Sequence, residues 1–170
     1  MSDNGGFSVI EPVEIGTLED VKEQRVLMPP TKNVKMIIKR VDTLKNEERT
    51  WKGLRLSLQL VDGISIGDDV KYKGAYIRTE AISYYADPEV YTKDFFKEKR
   101  HLVGLKRLMK ATGVESSIID DNFVNELIGK IVLADIWQRD NAYTDKSGTE
   151  VKDTINEARF LKAVPTDQLV

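Results

Sequence analysis

Rings and cations interleave between positions 51 and 78: Trp51, Lys52, Arg55, Tyr72, Lys73, Tyr76 and Arg78. Such a mixture suits a single strand of nucleic acid, because flat rings stack on unpaired bases while Lys and Arg track phosphates. Ser57 and Gln59 add hydrogen-bonding groups among them, and Lys39, Arg139 and Tyr143 extend the candidate contact set along the chain. The same residue types also serve plain packing. Tyr and Arg sit well on pleated surfaces, and Trp51 or Trp137 equally suits a core.

Other chemistries are thinly provided for. His101 is the only histidine, so a Ser-His-Asp triad would have to use it. It stands among lysines with no partner pattern and reads as a surface residue. Asp120 with Asp121, and Asp62 with Asp68 and Asp69, offer oxygen ligands, but neither group has the spacing of a calcium loop. Gly63, Gly67 and Gly74 lack the GK[ST] ending of a phosphate-cradling loop. Cysteine is absent, which excludes disulfides, thiolate metal sites and cysteine nucleophiles. The expectation is a protein that is not an enzyme, with no catalytic residues, no metal and no cofactor.

The elements that must position the rings and cations begin with residues 53–61. Leu occupies positions 54, 56, 58 and 60, with Arg55, Ser57 and Gln59 between. Alternation of this period predicts a strand with one apolar and one hydrogen-bonding face. Asp62-Gly63 follows as a turn signal. An earlier strand is expected over 34–44 and a third over 75–84, where Tyr76, Arg78 and Glu80 share a face. Between them, Gly- and Asp-rich residues 62–74 read as a loop or ragged hairpin. Leu102, Leu105, Leu108 and Met109 make a helical stripe within 93–112, with Gly113 as its stop. A shorter helix is expected over 121–128. Strands over 130–139 and 151–163 follow, joined by a hairpin tip at 141–149.

This order of strand, strand, strand, helix, strand, strand excludes an all-α fold and regular βαβ alternation. It predicts a β-rich, α+β chain with the element order of a five-stranded OB-fold-like Greek-key barrel, the helix lying between strands 3 and 4. In that fold, ligands lie across strands 2 and 3. A different small barrel, or a sheet packed on one helix, fits the same order. The 93–110 segment carries seven bases against Asp94 and Glu98. Such a face could extend a phosphate path, though a merely solvated face is the more usual meaning.

Apolar residues make up 41% of the 170 and charged residues 32%, the balance of a globular rather than a disordered chain. No apolar run approaches the roughly 20 residues needed to cross a bilayer. Met1-Ser2-Asp3-Asn4-Gly5-Gly6 lacks the pattern of a secretory signal. The expected location is cytoplasmic, the host cytoplasm if the protein is viral, with no membrane partner. The net charge of -2 hides a gradient: residues 1–30 hold six acids and two bases, so the remainder is slightly basic. That permits a nucleic-acid partner without requiring one. Residues 1–30 read as a flexible acidic arm ending at Met28-Pro29-Pro30, with a short helix over 17–25 capped by Thr17. Residues 31–165 read as the folded domain and 166–170 as a short tail.

Four stretches carry a resemblance. They are Gly53 to Gly63; Leu105-Lys106-Arg107-Leu108-Met109-Lys110-Ala111-Thr112-Gly113; Leu127-Ile128-Gly129-Lys130; and Asn156-Glu157-Ala158-Arg159-Phe160-Leu161. Together they make residues 31–165 similar to a family of small bacteriophage proteins, the OB-fold single-stranded DNA-binding proteins of phage replication and recombination. The resemblance implies single-stranded DNA as partner, bound with little sequence preference. Many such binders end in an acidic tail that recruits partners, whereas this chain ends Pro165-Thr166-Asp167-Gln168-Leu169-Val170 with one acid. Recruitment of replication or recombination proteins would then fall to the acidic N-terminal arm, or be absent. A homo-oligomer is compatible with the same reading. The alternative is an OB-like adaptor or structural subunit that binds protein, which the near-neutral charge and the acidic arm suit.

Overall fold

The leucine alternation sets the sheet. In the computed structural model, which describes residues 11–17 and 27–166, Leu54, Leu56, Leu58 and Leu60 all point into the core and are fully buried. Burying each contributes about 1.5–3 kcal/mol relative to exposure. They lie on β2 (Trp51–Leu60), which pairs antiparallel with the long β1 (Thr31–Lys45). Asn46 closes that hairpin: its Oδ1 accepts from the Trp51 amide at 3.0 Å and its Nδ2 donates to Thr50 Oγ1 at 2.7 Å.

A short hairpin follows, β3 (Ile64–Ile66) with β4 (Asp69–Lys71), then β5 (Tyr76–Arg78) and β6 (Ile82–Ala86). The strand expected over 75–84 is therefore two strands. Both lie along the same edge of β2, β5 beside Ser57–Gln59 and β6 beside Trp51–Leu54. The break falls at Thr79, whose hydroxyl accepts from the Leu56 amide at 3.1 Å and donates to the Glu80 carbonyl at 2.8 Å. A side chain thus takes over ladder bonding where the backbone turns.

The helix expected over 93–112 is also divided. α1 (Lys93–Phe96) gives way to a 3-10 turn over 97–102, and α2 (Val103–Thr112) follows. Glu98 (φ 53°) and Lys99 (φ 55°) are left-handed, and no residue of the turn is buried. The cause is legible in physical terms. Residues 97–101 bring no apolar group to the core, so nothing compensates the cost of extending a helix there. The apolar stripe starts only with α2, whose Leu105, Leu108 and Ala111 are buried, and Gly113 (φ 73°) ends it as a left-handed cap. The seven bases of this region consequently share no single helix. α3 (Asp121–Leu127) is capped by Asp120, whose carboxylate accepts from the Phe123 amide at 3.0 Å. Asp120 thus has a capping role.

The chain closes with β7 (Ile131–Thr144) and β8 (Glu150–Ala163), a long antiparallel pair. The six-stranded sheet runs β5-β2-β1-β7-β8, with β6 beside β2. It curls so that its ends touch at one parallel bridge, Thr79 to Ala158. The expected five-stranded barrel is corrected on both counts: there are eight strands among the described residues, and the sheet does not close into a barrel. β5 is three residues long, and among the described residues a single bridge, Thr79 to Ala158, joins that edge to β8, so the edges build no continuous ladder. No helix of the described residues is long and apolar enough to cross a membrane. The expected helix over 17–25 falls almost entirely on residues 18–26, outside the described residues.

Candidate functional site

The outward face of β2 continues onto β5 because Ser57 pairs with Arg78 and Gln59 with Tyr76. Paired residues in a ladder project to the same side. Arg55, Ser57, Tyr76 and Arg78 therefore stand together, while Ile77 pairs with Leu58 on the core side. β1 adds to this face through a register shift between Ile38 and Arg40. The bulge leaves Lys39 unpaired, and both Lys39 and Arg40 reach the outward side.

Across from this face stands the β7–β8 pair. Between them runs an open trough of about 930 Å³. Lys39, Arg40, Arg55, Arg78 and Arg139 line it, and Glu157 is the single carboxylate among its described lining residues. Arg40 bonds Asp42 at 2.7 Å, and Arg139 bonds Glu157 at 3.1 Å. Among the described residues no carboxylate lies within ion-pair distance of Lys39, Arg55 or Arg78. Asp42 stands opposite Arg55 in the β1–β2 ladder but is engaged by Arg40. The cations outnumber the carboxylates here, and a bound anion relieves their mutual repulsion. Tyr76 is 62% exposed at the same trough, so its ring is open to stacking.

Glu157 is the buried member of this surface, 6% exposed. One oxygen accepts from Arg159 Nε at 2.8 Å, and the other forms an ion pair with Arg139, whose Nε lies 3.1 Å away. A carboxylate taken out of water needs such partners, and two arginines leave the local balance positive. The remaining wall is built by the chain entering the domain. Met28 is buried; its amide donates to Asn156 Oδ1 at 2.7 Å, and its carbonyl accepts from Asn156 Nδ2 at 2.8 Å and Gln138 Nε2 at 2.9 Å.

Of the residues singled out from sequence, the trough brings together Lys39, Arg55, Ser57, Tyr76, Arg78 and Arg139. The others lie elsewhere. Trp51 lies with its indole against Gly53, and Nε1 donates to Ser83 Oγ at 3.1 Å. Lys52 projects to the opposite side of β2, where its ammonium sits 5.4 Å from the Tyr85 ring. Gln59 faces outward but bonds the Gly74 carbonyl at 3.1 Å, pinning the turn before β5. Lys73 is exposed in that turn, and Tyr143 is exposed near the far end of β7.

Sequence reasoning missed the contributions of Leu27, Met28, Arg40, Asn141 and the 154–157 run. Residues 154–157 lie inside the strand expected over 151–163, whose outward face carries no expected ligand contact. The signal present was polarity: Thr154, Asn156 and Glu157 are poor core residues. No family model matches this chain, and no characterised protein matches its sequence.

Proposed function

We propose that this chain is a non-catalytic single-stranded DNA-binding protein of phage-type replication or recombination, and that the trough holds the strand by base stacking and phosphate contacts. The observation that carries this reading is the gathering of Lys39, Arg55 and Arg78, none with a carboxylate partner among the described residues, around the exposed ring of Tyr76. Cations would track the backbone and the ring would meet a base, a combination that tolerates any sequence. An OB-fold-like frame is the architectural part of the proposal. The strand path β5-β2-β1-β7-β8, the parallel bridge between its ends and the helices between β6 and β7 support it. Ligands of that fold cross the second and third strands, which correspond here to β2 and β5.

The test is a titration of fluorescein-labelled oligo-dT with the protein at low salt, followed by fluorescence anisotropy. The expected result is a rise in anisotropy that fades as salt rises. Arg55→Ala should lower the slope of log affinity against log salt by about 0.7 for the lost phosphate contact, and Arg55→Ala with Arg78→Ala should remove most binding. A flat titration would contradict the proposal. It would favour a protein-binding adaptor, for which the exposed Ile66 and Val70 on the β3–β4 hairpin are the best argument.

A further inference from the structure

A second group of rings and arginines lies beyond the lip of the trough. Trp137 and Phe160 meet edge to face, centroids 5.8 Å apart, and stay 43% and 38% exposed. Arg159 sits 5.1 Å from the Trp137 ring and Arg107 of α2 sits 5.5 Å from the Phe160 ring. Phe160 has a left-handed backbone (φ 56°), adjoining the register shift between Leu133 and Asp135. A bulky residue adopts that conformation only where its surroundings over-determine it. The effect is to hold the Phe160 ring at the surface beside that of Trp137, where burial would have been the ordinary outcome for either.

This group is continuous with the trough. Glu157 lines the trough and bonds both Arg139, which lines it too, and Arg159, which covers Trp137. The neighbourhood is cationic: Lys106 and Lys110 are exposed on α2 beside Arg107. Its nearby carboxylates are already engaged, Glu157 by the two arginines and Asp135 by Lys162 at 3.1 Å. An acidic peptide would find the cations but no use for two exposed rings. A single-stranded nucleic acid uses both.

We propose that Trp137 and Phe160, with Arg107 and Arg159 over them, form a second stacking platform that carries a single strand onward from the trough. The inference rests on the proposed function of the trough and extends its path across β8 toward α2. A long strand would engage both stations, and a short one would be held by the trough.

The experiment measures binding of the full chain to fluorescein-labelled oligo-dT of about 5 and about 15 nucleotides, lengths that bracket typical site sizes. Trp137→Ala and Arg107→Ala should each weaken the long oligonucleotide by about fivefold or more and leave the short one unchanged. Trp137→Tyr, which keeps a ring, should retain the long-strand affinity. Both altered side chains are surface groups on different elements, so a shared folding defect does not explain a shared loss. If Arg55→Ala with Arg78→Ala loses binding while Trp137→Ala and Arg107→Ala bind both lengths as wild type, the platform is refuted and the trough stands. Equal weakening of both lengths would also refute a separate station. Wild-type protein that binds neither length would overturn the trough reading and the platform with it.

Discussion

Gly53 shows how narrowly single residues hold the outward face of β2. A Cβ there would come within 2.6 Å of the Trp51 ring and 2.9 Å of the Ile82 carbonyl. The glycine is what leaves room for the indole where it reaches Ser83. Gly53→Ala should cost about 1–3 kcal/mol through overpacking and shift the tryptophan emission, both read in one urea unfolding series. Gly104 is the contrast. A Cβ at that position would meet Ile82 Cγ2 at an ordinary 3.6 Å, so Gly104→Ala in α2 should be neutral or stabilise by up to about 1 kcal/mol. At this scale the sequence was partly legible. Arg55, Ser57, Tyr76 and Arg78 follow from period-2 alternation and a plausible pairing. Trp51 does not, because a ring laid along its own strand looks the same in sequence as a ring held out to a ligand.

Elements were placed well where one apolar pattern governed them and poorly where local chemistry intervened. β2 and α3 follow their hydrophobic periods closely. β7 does so only as far as Ile136 and then runs on, mostly exposed, to Thr144 inside the expected hairpin tip, while β8 buries Glu157 and Ala158 and leaves Phe160 exposed. The long helix was over-extended, because helix-compatible charged residues at 97–101 carry no periodic signal that would reveal a break. The break between β5 and β6 is invisible in the sequence because Thr79's side-chain bonding has no signature in a single chain. The β7–β8 hairpin offers a local test. Asp145 at its tip accepts from Ser147 Oγ at 2.6 Å, from the Thr149 amide at 2.9 Å and from the Ser147 amide at 2.9 Å. The Ser147 hydroxyl above all, then the Thr149 amide, holds the carboxyl below the ordinary aspartate value. A lowered folded-state value means the tip is favoured at and above the usual carboxylate range, and that this support is lost as pH falls through the lowered value. Carboxyl titration by NMR should show Asp145 ionising below the ordinary aspartate value, and Ser147→Ala should move it back up. An unshifted Asp145 would mean these hydrogen bonds do not persist in solution.

The trough belongs to the whole molecule. It exists because the sheet curls until β5 meets β8 at Thr79 and Ala158, which brings the outward faces of β2 and β5 up to Arg139 and the 154–157 run. Adjacency in sequence pointed to one wall, and the opposing wall depends on contacts between distant segments, such as Met28 with Asn156. The acidic excess of residues 1–30 and the basic remainder were visible from composition alone, but which cations would lack partners was not. The most direct test of the central claim maps backbone amide shifts on adding oligo-dT at low salt. The account predicts changes concentrated at residues 39–40, 55–57 and 76–78, fading as salt is raised. Shifts confined to the β3–β4 hairpin, or none at all, would contradict it.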